Sequence, residues 1–239
     1  MKINWNYIKM IVLIICITGL YAFSNKRNLD RPVKEMEIVF EGDNNLYLSQ
    51  EMVNKLLIQN YGSVLNLGKE KLVLNTIEKV IETHNMVKSA QVYLTIDDKL
   101  TSKIFQRQPI GRVEGITTFY LDEEGKSMPL SKLHSARVPI ITGEITGKSL
   151  DDVFEILKYI NQDEFFRKNV IGIHIEAEER YQLKFRVEDF IVDLGNIDDL
   201  EKKFKNFKAF YAKALKDKSL RDYAVVNLEF DNQVVCTKI

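Results

Sequence analysis

Between Lys9 and Lys26 the chain has no charged side chain, and Met10–Phe23 reads MIVLIICITGLYAF. No other stretch restricts the fold as much. A bilayer offers backbone amides no water, so a single apolar segment that enters one must be a helix. Adding Tyr7 and Ile8, with Lys9 snorkelling to the interface, gives a span over 7–23, at the short end of the about 17–25 residues that a crossing needs. Trp5, Tyr7 and Tyr21 sit where interfacial aromatics belong. A cleaved signal peptide is the competing reading, because Ala22-Phe23-Ser24 passes as a small-x-small site, but the length and flanks favour a retained anchor. Ile15 before Cys16 argues against a lipoprotein. Lys2 and Lys9 lie at the N-terminal end of the span while Lys26, Arg27, Arg31 and Lys34 follow it, so charge bias alone does not orient it; long domains translocate largely regardless of such charges.

The chain as a whole has the balance of a folded protein: 45% apolar and 28% charged residues. Basic and acidic side chains number 34 each, which excludes bulk attraction to nucleic acid. Cys16 lies in the apolar run and Cys236 near the C-terminus, so no structural disulfide is expected.

Residues 24–34, polar and basic with Pro32, read as a linker. A strand–helix–helix–strand–strand pattern follows over 35–106. Met36–Phe40 is the first strand. Ser49 is placed to cap a helix with Val53, Leu56, Leu57 and Tyr61 on one face, stopped by Gly62. Asn75 and Glu78 resemble a capping box before Ile77, Val80 and Ile81. Val92, Leu94 and Ile96 alternate with polar neighbours, and after Asp97-Asp98 so do Leu100, Ser102 and Ile104.

From Gln108-Pro109 a second α+β domain, 107–239, begins. Thr117–Leu121 and Lys126–Leu130 flank a DEEG turn. Val138–Thr142 is a short strand, and Ser149 caps a helix with Val153, Ile156, Leu157 and Ile160. Strands near 170–176, 181–187 and 190–194 precede a long helix from Asp198 or Asp199 with Leu200, Phe204, Phe207, Tyr211 and Leu215 at helical spacing. Its polar side holds Lys202, Lys203, Lys205, Lys208, Lys213 and Lys216. A solvated face is the ordinary reading; a membrane surface or an acidic partner segment is the functional one. Val226–Phe230 and Gln233–Lys238 flank Asp231-Asn232 as a closing hairpin, which makes the last strand a sheet edge with Lys238 as its one charge. Open apolar edges are usually blunted, so this one asks for a purpose.

Enzyme-like motifs fail on spacing. Gly143-x-x-x-Gly147-Lys148-Ser149 is one residue short of a phosphate loop, and Asp193 in FIVDL lies among strands that read as antiparallel. His84, His134 and His174 share no metal-ligand spacing. The acidic pairs fall at turns.

The order of the elements, with NTIEKVIETHNMVKSAQVYLT (Asn75–Thr95), FQRQPIGRV (Phe105–Val113), YLDEEGKSMPL (Tyr120–Leu130), VPIITG (Val138–Gly143) and the closing VNLEFDNQVVC, resembles the FtsQ/DivIB family of bacterial cell-division proteins. Met86 stands where that pattern commonly has proline. The resemblance implies an α+β protein without enzymatic activity or cofactor: tail 1–6, membrane helix 7–23, linker 24–34, a POTRA domain 35–106 and a C-terminal β domain 107–239 with a mainly antiparallel sheet. It implies a single-pass inner-membrane protein at the division septum, N-terminus cytoplasmic and bulk periplasmic. Its partners would be the small coiled-coil proteins FtsB and FtsL, with an FtsB strand added along Gln233, Val234, Val235, Cys236, Thr237 and Lys238, an aromatic contact at Phe230, and contacts to the last long helix. An arginine that some members place after the Leu-Gly pair is Asn196 here; Lys202 or Lys205 is the expected substitute. A POTRA-bearing translocation or outer-membrane assembly factor is the alternative, disfavoured because no run of barrel strands follows.

The anchor reading has a direct check. The mature protein is expected to begin at Met1 and to resist carbonate extraction from membranes. A mature N-terminus at Asn25 would show a cleaved leader instead.

Overall fold

The computed structural model describes residues 5–29, 31–62, 68, 72–230 and 233–239; residues 1–4 of the expected tail and the Asp231-Asn232 turn lie outside them. Two units divide the chain, Met1–Gln106 and Arg107–Ile239.

The first unit opens with helix α1 (Trp5–Leu29), long and apolar enough over Trp5–Asn28 to cross a membrane. The Thr18 hydroxyl donates to the Ile14 and Ile15 carbonyls at 2.9 and 3.0 Å, so the apolar stretch carries its hydroxyl already satisfied. The helix outruns the expected span: Ser24–Leu29, assigned to the linker from their polarity, are helical. They contain neither glycine nor proline, and the first residue that disfavours helix before it is Pro32.

There follow β1 (Glu35–Glu41), α2 (Gln50–Tyr61), α3 (Leu74–Glu82), β2 (Val87–Leu94) and β3 (Lys99–Gln106). The sheet order is β1-β3-β2, with β1 parallel and β2 antiparallel to the central β3. Parallel pairing needs a long crossover, which the two helices provide. Val53, Leu57, Ile77, Ile81, Val92, Leu100 and Ile104 are buried together with Gln106. The Gln106 amide is satisfied at both ends: its Oε1 accepts from the Tyr47 N–H at 3.0 Å and its Nε2 donates to the Leu48 carbonyl at 3.1 Å. Ser49 caps α2 as expected, its hydroxyl accepting from the Met52 N–H. The expected Asn75–Glu78 capping box does not form. Val73 is the N-cap of α3 and makes no side-chain cap; Glu78 instead reaches β2, where its Oε1 accepts from the Val92 N–H at 2.7 Å. Ile96 lies beyond β2 at the hairpin tip, fully in solvent.

The second unit runs β4 (Pro109–Glu114), β5 (Thr118–Asp122), β6 (Ser127–Met128), β7 (Ile140–Gly143), α4 (Gly147–Gln162), α5 (Glu164–Asn169), β8 (Val170–Glu176), β9 (Arg180–Phe185), β10 (Ile191–Gly195), α6 (Leu200–Lys216), β11 (Tyr223–Asn227) and β12 (Val235–Lys238). All twelve belong to one structure built on a single sheet of order β12-β11-β10-β9-β8-β7-β4-β5-β6. The sheet is mixed. β4/β7, β7/β8 and β10/β11 are parallel, and the other neighbours are antiparallel. Two of the parallel pairs lie where helices return the chain, α4–α5 between β7 and β8 and α6 between β10 and β11.

Inward residues of the strands, among them Val113, Ile141, Ile173, Leu183, Phe185, Val192 and Val226, form one core with Val153, Ile156, Leu157, Ile160, Phe166, Phe204 and Phe207 of the helices. Its centre is aromatic. Phe204 stacks on Tyr159 with ring centroids 4.5 Å apart and 12° between planes, and meets Phe166 edge-on at 4.5 Å. Asp163 holds the short α5 in place by accepting the Phe165 and Phe166 amides at 2.9 and 3.3 Å. Thr146, not Ser149, is the N-cap of α4; Ser149 sits three residues in, buried, and reciprocates as the other half of a capping box. Near the end of α6 it is Ala214 that is buried, and Leu215 is exposed.

Truncating the central ring tests this core. Phe204→Ala is expected to lower unfolding free energy by about 3–5 kcal/mol with an unchanged denaturant slope; a loss under 1 kcal/mol would mean that the aromatic cluster does not hold the helices to the sheet.

Candidate functional site

β12 is the last strand in the sheet order and, among the described residues, pairs with β11 alone: Tyr223↔Lys238, Val225↔Thr237, Val226↔Cys236 and Asn227↔Val235. The hairpin is shorter and its connection longer than its sequence suggests. Leu228, Glu229 and Phe230 lie past the end of β11, and Gln233 and Val234 precede β12. The strand's polarity follows from one bond at its end. Ile239 donates its N–H to the Asp222 carbonyl at 3.0 Å, and backbone groups alternate sides along a strand. The Thr237 and Val235 amides therefore face β11, and the Cys236 and Lys238 amides face outward. β11, not β12, carries the irregularity between Tyr223 and Val225, so the alternation on β12 is unbroken.

Val234 and Cys236 are half-buried against the core, which pins the strand's inner side. Burial pushes the Cys236 thiol above its ordinary pKa, so it stays protonated. Val235 points the other way and is partly exposed. Among the described residues no side chain accepts the outward amides of Cys236 and Lys238. Elsewhere the chain does otherwise: on β2, Ala90 donates to Glu82 Oε1 at 3.1 Å and Val92 to Glu78 Oε1.

Beside β12, the segment 228–230 is locked by an ion-pair network. The Leu228 N–H donates to the Asp193 carbonyl at 2.8 Å, and Leu228 is buried. Arg180 bridges Asp193 and Glu229 at 3.3 and 3.1 Å, and Asn227 Nδ2 donates to Glu229 Oε2 at 3.1 Å. Glu229, then Asp193, hold the Arg180 guanidinium above the usual arginine pKa. Gly195 makes room for this network. Its φ is +64°, and a Cβ there would meet Glu229 Cγ at 2.5 Å. The result is a half-exposed Phe230 on the rim of a shallow pocket of about 210 Å³, together with Asn196, Lys202, Lys203 and Asn206.

The geometry thus brings Asn196, Lys202 and Phe230 together at one pocket, which Lys205 does not line; it pairs with Glu201 at 2.6 Å on the solvent side of α6. Lys203 was expected on the solvated face and is buried instead. Its ammonium donates to the Asn196 carbonyl and Oδ1 at 2.8 and 2.9 Å, while Asn196 Nδ2 donates to Asp198 at 2.6 Å. The signal was present: Lys203 is one α-helical step from Leu200 and Phe207, on the apolar side.

The enzyme-like motifs take structural roles. Gly143 lies at φ +105° with the Ile175 carbonyl 2.0 Å from where a Cβ would stand, so it is a close-packing glycine. Lys148 is exposed and paired with Glu179. The hollow there is lined by Glu144, Glu176, Glu178 and Glu179, the wrong charge for a phosphate. His84 accepts the Met86 N–H at 3.2 Å, and His174 bonds Thr142 at 3.0 Å. No acid, histidine and cysteine side chains cluster suitably for a metal among the described residues.

The profile of the family described as FtsQ/DivIB, C-terminal related, matches residues 108–237, a segment that includes the network, the pocket and most of β12. No curated protein matches the chain.

Gly195→Ala tests the network. It is expected to cost about 1–2 kcal/mol through the left-handed backbone alone, and to raise amide exchange across 228–230 as Glu229 is displaced. Unchanged exchange there would mean that the network does not set the position of Phe230.

Proposed function

Because the chain belongs to the FtsQ/DivIB family, a family of non-enzymatic cell-division proteins, we propose that it is a single-pass membrane scaffold of the division machinery that receives a partner strand along β12. The strand comes from FtsB, delivered with FtsL, and Phe230 inserts beside it. Residues 35–106 serve as the POTRA domain and assist recruitment to the septum. The N-terminus is cytoplasmic and the two units extracytoplasmic.

The open edge of β12 is the observation that carries this reading. An added strand needs outward N–H and C=O groups that nothing in the chain already uses. Cys236 and Lys238 supply such amides on a strand whose inner side is pinned to the core. Phe230 adds what main-chain pairing lacks, an aromatic anchor at the rim of a pocket. Lys203, held by Asn196, keeps the start of α6 against that pocket, and Lys202 lines it as well. Lys205, paired with Glu201, lies outside that pocket. A translocation or assembly factor with a POTRA domain is the weaker alternative, since the match covers the second unit and leads to cell division.

Proline distinguishes main-chain docking from side-chain docking. Cys236→Pro removes an outward amide, a substitution edge strands tolerate, whereas Val235→Pro removes an amide that bonds to β11. Cys236→Pro is expected to keep its far-UV spectrum and melting behaviour while losing the FtsB–FtsL pair, with Cys236→Ala binding normally. Val235→Pro is expected to lower the melting temperature. Phe230→Ala is expected to weaken binding by more than about 1 kcal/mol. A folded Cys236→Pro variant with full affinity would move the docking site away from β12.

A further inference from the structure

In the three-stranded sheet of the first unit β2, like β1, is an edge strand. The Thr95 N–H donates to the Lys99 carbonyl at 2.9 Å, so Tyr93 and Gln91 also turn their backbone groups to β3, and Val92 and Ala90 turn theirs outward. Those two outward amides are the ones that α3 occupies. Glu78 takes Val92 at 2.7 Å and Glu82, one helical turn later, takes Ala90 at 3.1 Å. A carboxylate is a stronger acceptor than a carbonyl, and spacing i, i+4 on the helix matches spacing i, i+2 on the strand at the observed distances. Both glutamates thus lie where an incoming strand would have to place its carbonyls.

We infer that β2 is a second strand-accepting edge, latched shut by Glu78 and Glu82, and that its occupant when unlatched is β2 of a second copy of this chain. The strand is self-complementary about Gln91. In antiparallel pairing across a two-fold axis at that residue, Ala90 of one copy meets Val92 of the other, so the amides that the glutamates now hold exchange bonds with one another. Lys88 then meets Leu94, Ser89 meets Tyr93, and no like charges oppose. Gln91 itself is exposed at the centre. The latch rests on the first unit alone and is independent of the docking proposed at β12.

The test uses the full chain in detergent, with Cys16→Ser, Cys236→Ser and Gln91→Cys to report the two-fold contact by disulfide formation. With Glu78 and Glu82 intact, the expected result is a chain uncrosslinked at position 91, with slow exchange at Ala90 and Val92 that does not depend on concentration. With Glu78→Ala and Glu82→Ala, exchange at both amides is expected to quicken about tenfold or more at low concentration. As concentration rises it should slow again while the disulfide dimer appears. Glu78→Gln with Glu82→Gln keeps both acceptor oxygens and should behave as the latched chain. If the double alanine variant loses the fold of the first unit, Glu82→Ala alone frees the Ala90 amide and reports in the same way. A folded alanine variant that stays uncrosslinked at every concentration would overturn the inference, and so would equal crosslinking with both glutamates present.

Discussion

A strand at the rim of a sheet has backbone donors and acceptors on one side with no neighbour to take them, and much of this chain's organisation answers that constraint. On β1 the Ile38 carbonyl accepts from the Gln50 side chain at 2.8 Å. On β2 the Ala90 and Val92 amides go to α3. At one rim of the large sheet, β6 is only Ser127–Met128, too short to template much. β12, at the other rim, receives neither treatment among the described residues. β1 and β2 each have outer backbone groups taken by a side chain, whereas among the described residues no side chain takes the outward amides of β12, and that contrast is what singles the edge out.

An open edge is useful only if it is held still. Val234 and Cys236 anchor the inner side of β12 to a core whose centre is the Tyr159, Phe166, Phe204 and Phe207 cluster. The segment leading to it is tied by Leu228, Asp193, Arg180 and Glu229, and that tie depends on an absent Cβ at Gly195. Lys203 joins the start of α6 to the same corner through Asn196. Under the proposed strand addition a partner would meet a preorganised rim, which lowers the ordering cost of pairing.

Much of this was legible in the sequence, because the signals were local. The uncharged run before Lys26, the alternation of Tyr181, Leu183 and Phe185, and the helical spacing of Leu200, Phe204 and Phe207 each correspond to an observed element. The errors came where one residue type serves two purposes. Thr146 and Ser149 are both competent caps, and only the fold decides which precedes the helix. Glu78 suits a capping box and is used across the unit on β2. The stretch 105–113 reads as a junction between domains, so β4 is not expected there; in the structure a Cβ at 111 would meet Leu157 Cδ1 at 2.5 Å, and the glycine permits close packing of α4 on the sheet. Phe230 was placed inside a strand by its β propensity, and it lies past the strand's end because the Leu228 amide bonds to Asp193. The direction of each amide on β12 was beyond sequence, since alternation fixes relative but not absolute orientation.

The most direct measurement of the central claim is amide hydrogen exchange on the full-length chain, alone and with the FtsB–FtsL pair. Strand addition at the open edge predicts that the Cys236 and Lys238 amides exchange fast in the free protein and become strongly protected in the complex, while Val235 and Thr237, already bonded to β11, change little. Fast exchange at Cys236 and Lys238 in both states, with new protection confined to the lysine side of α6, would contradict it.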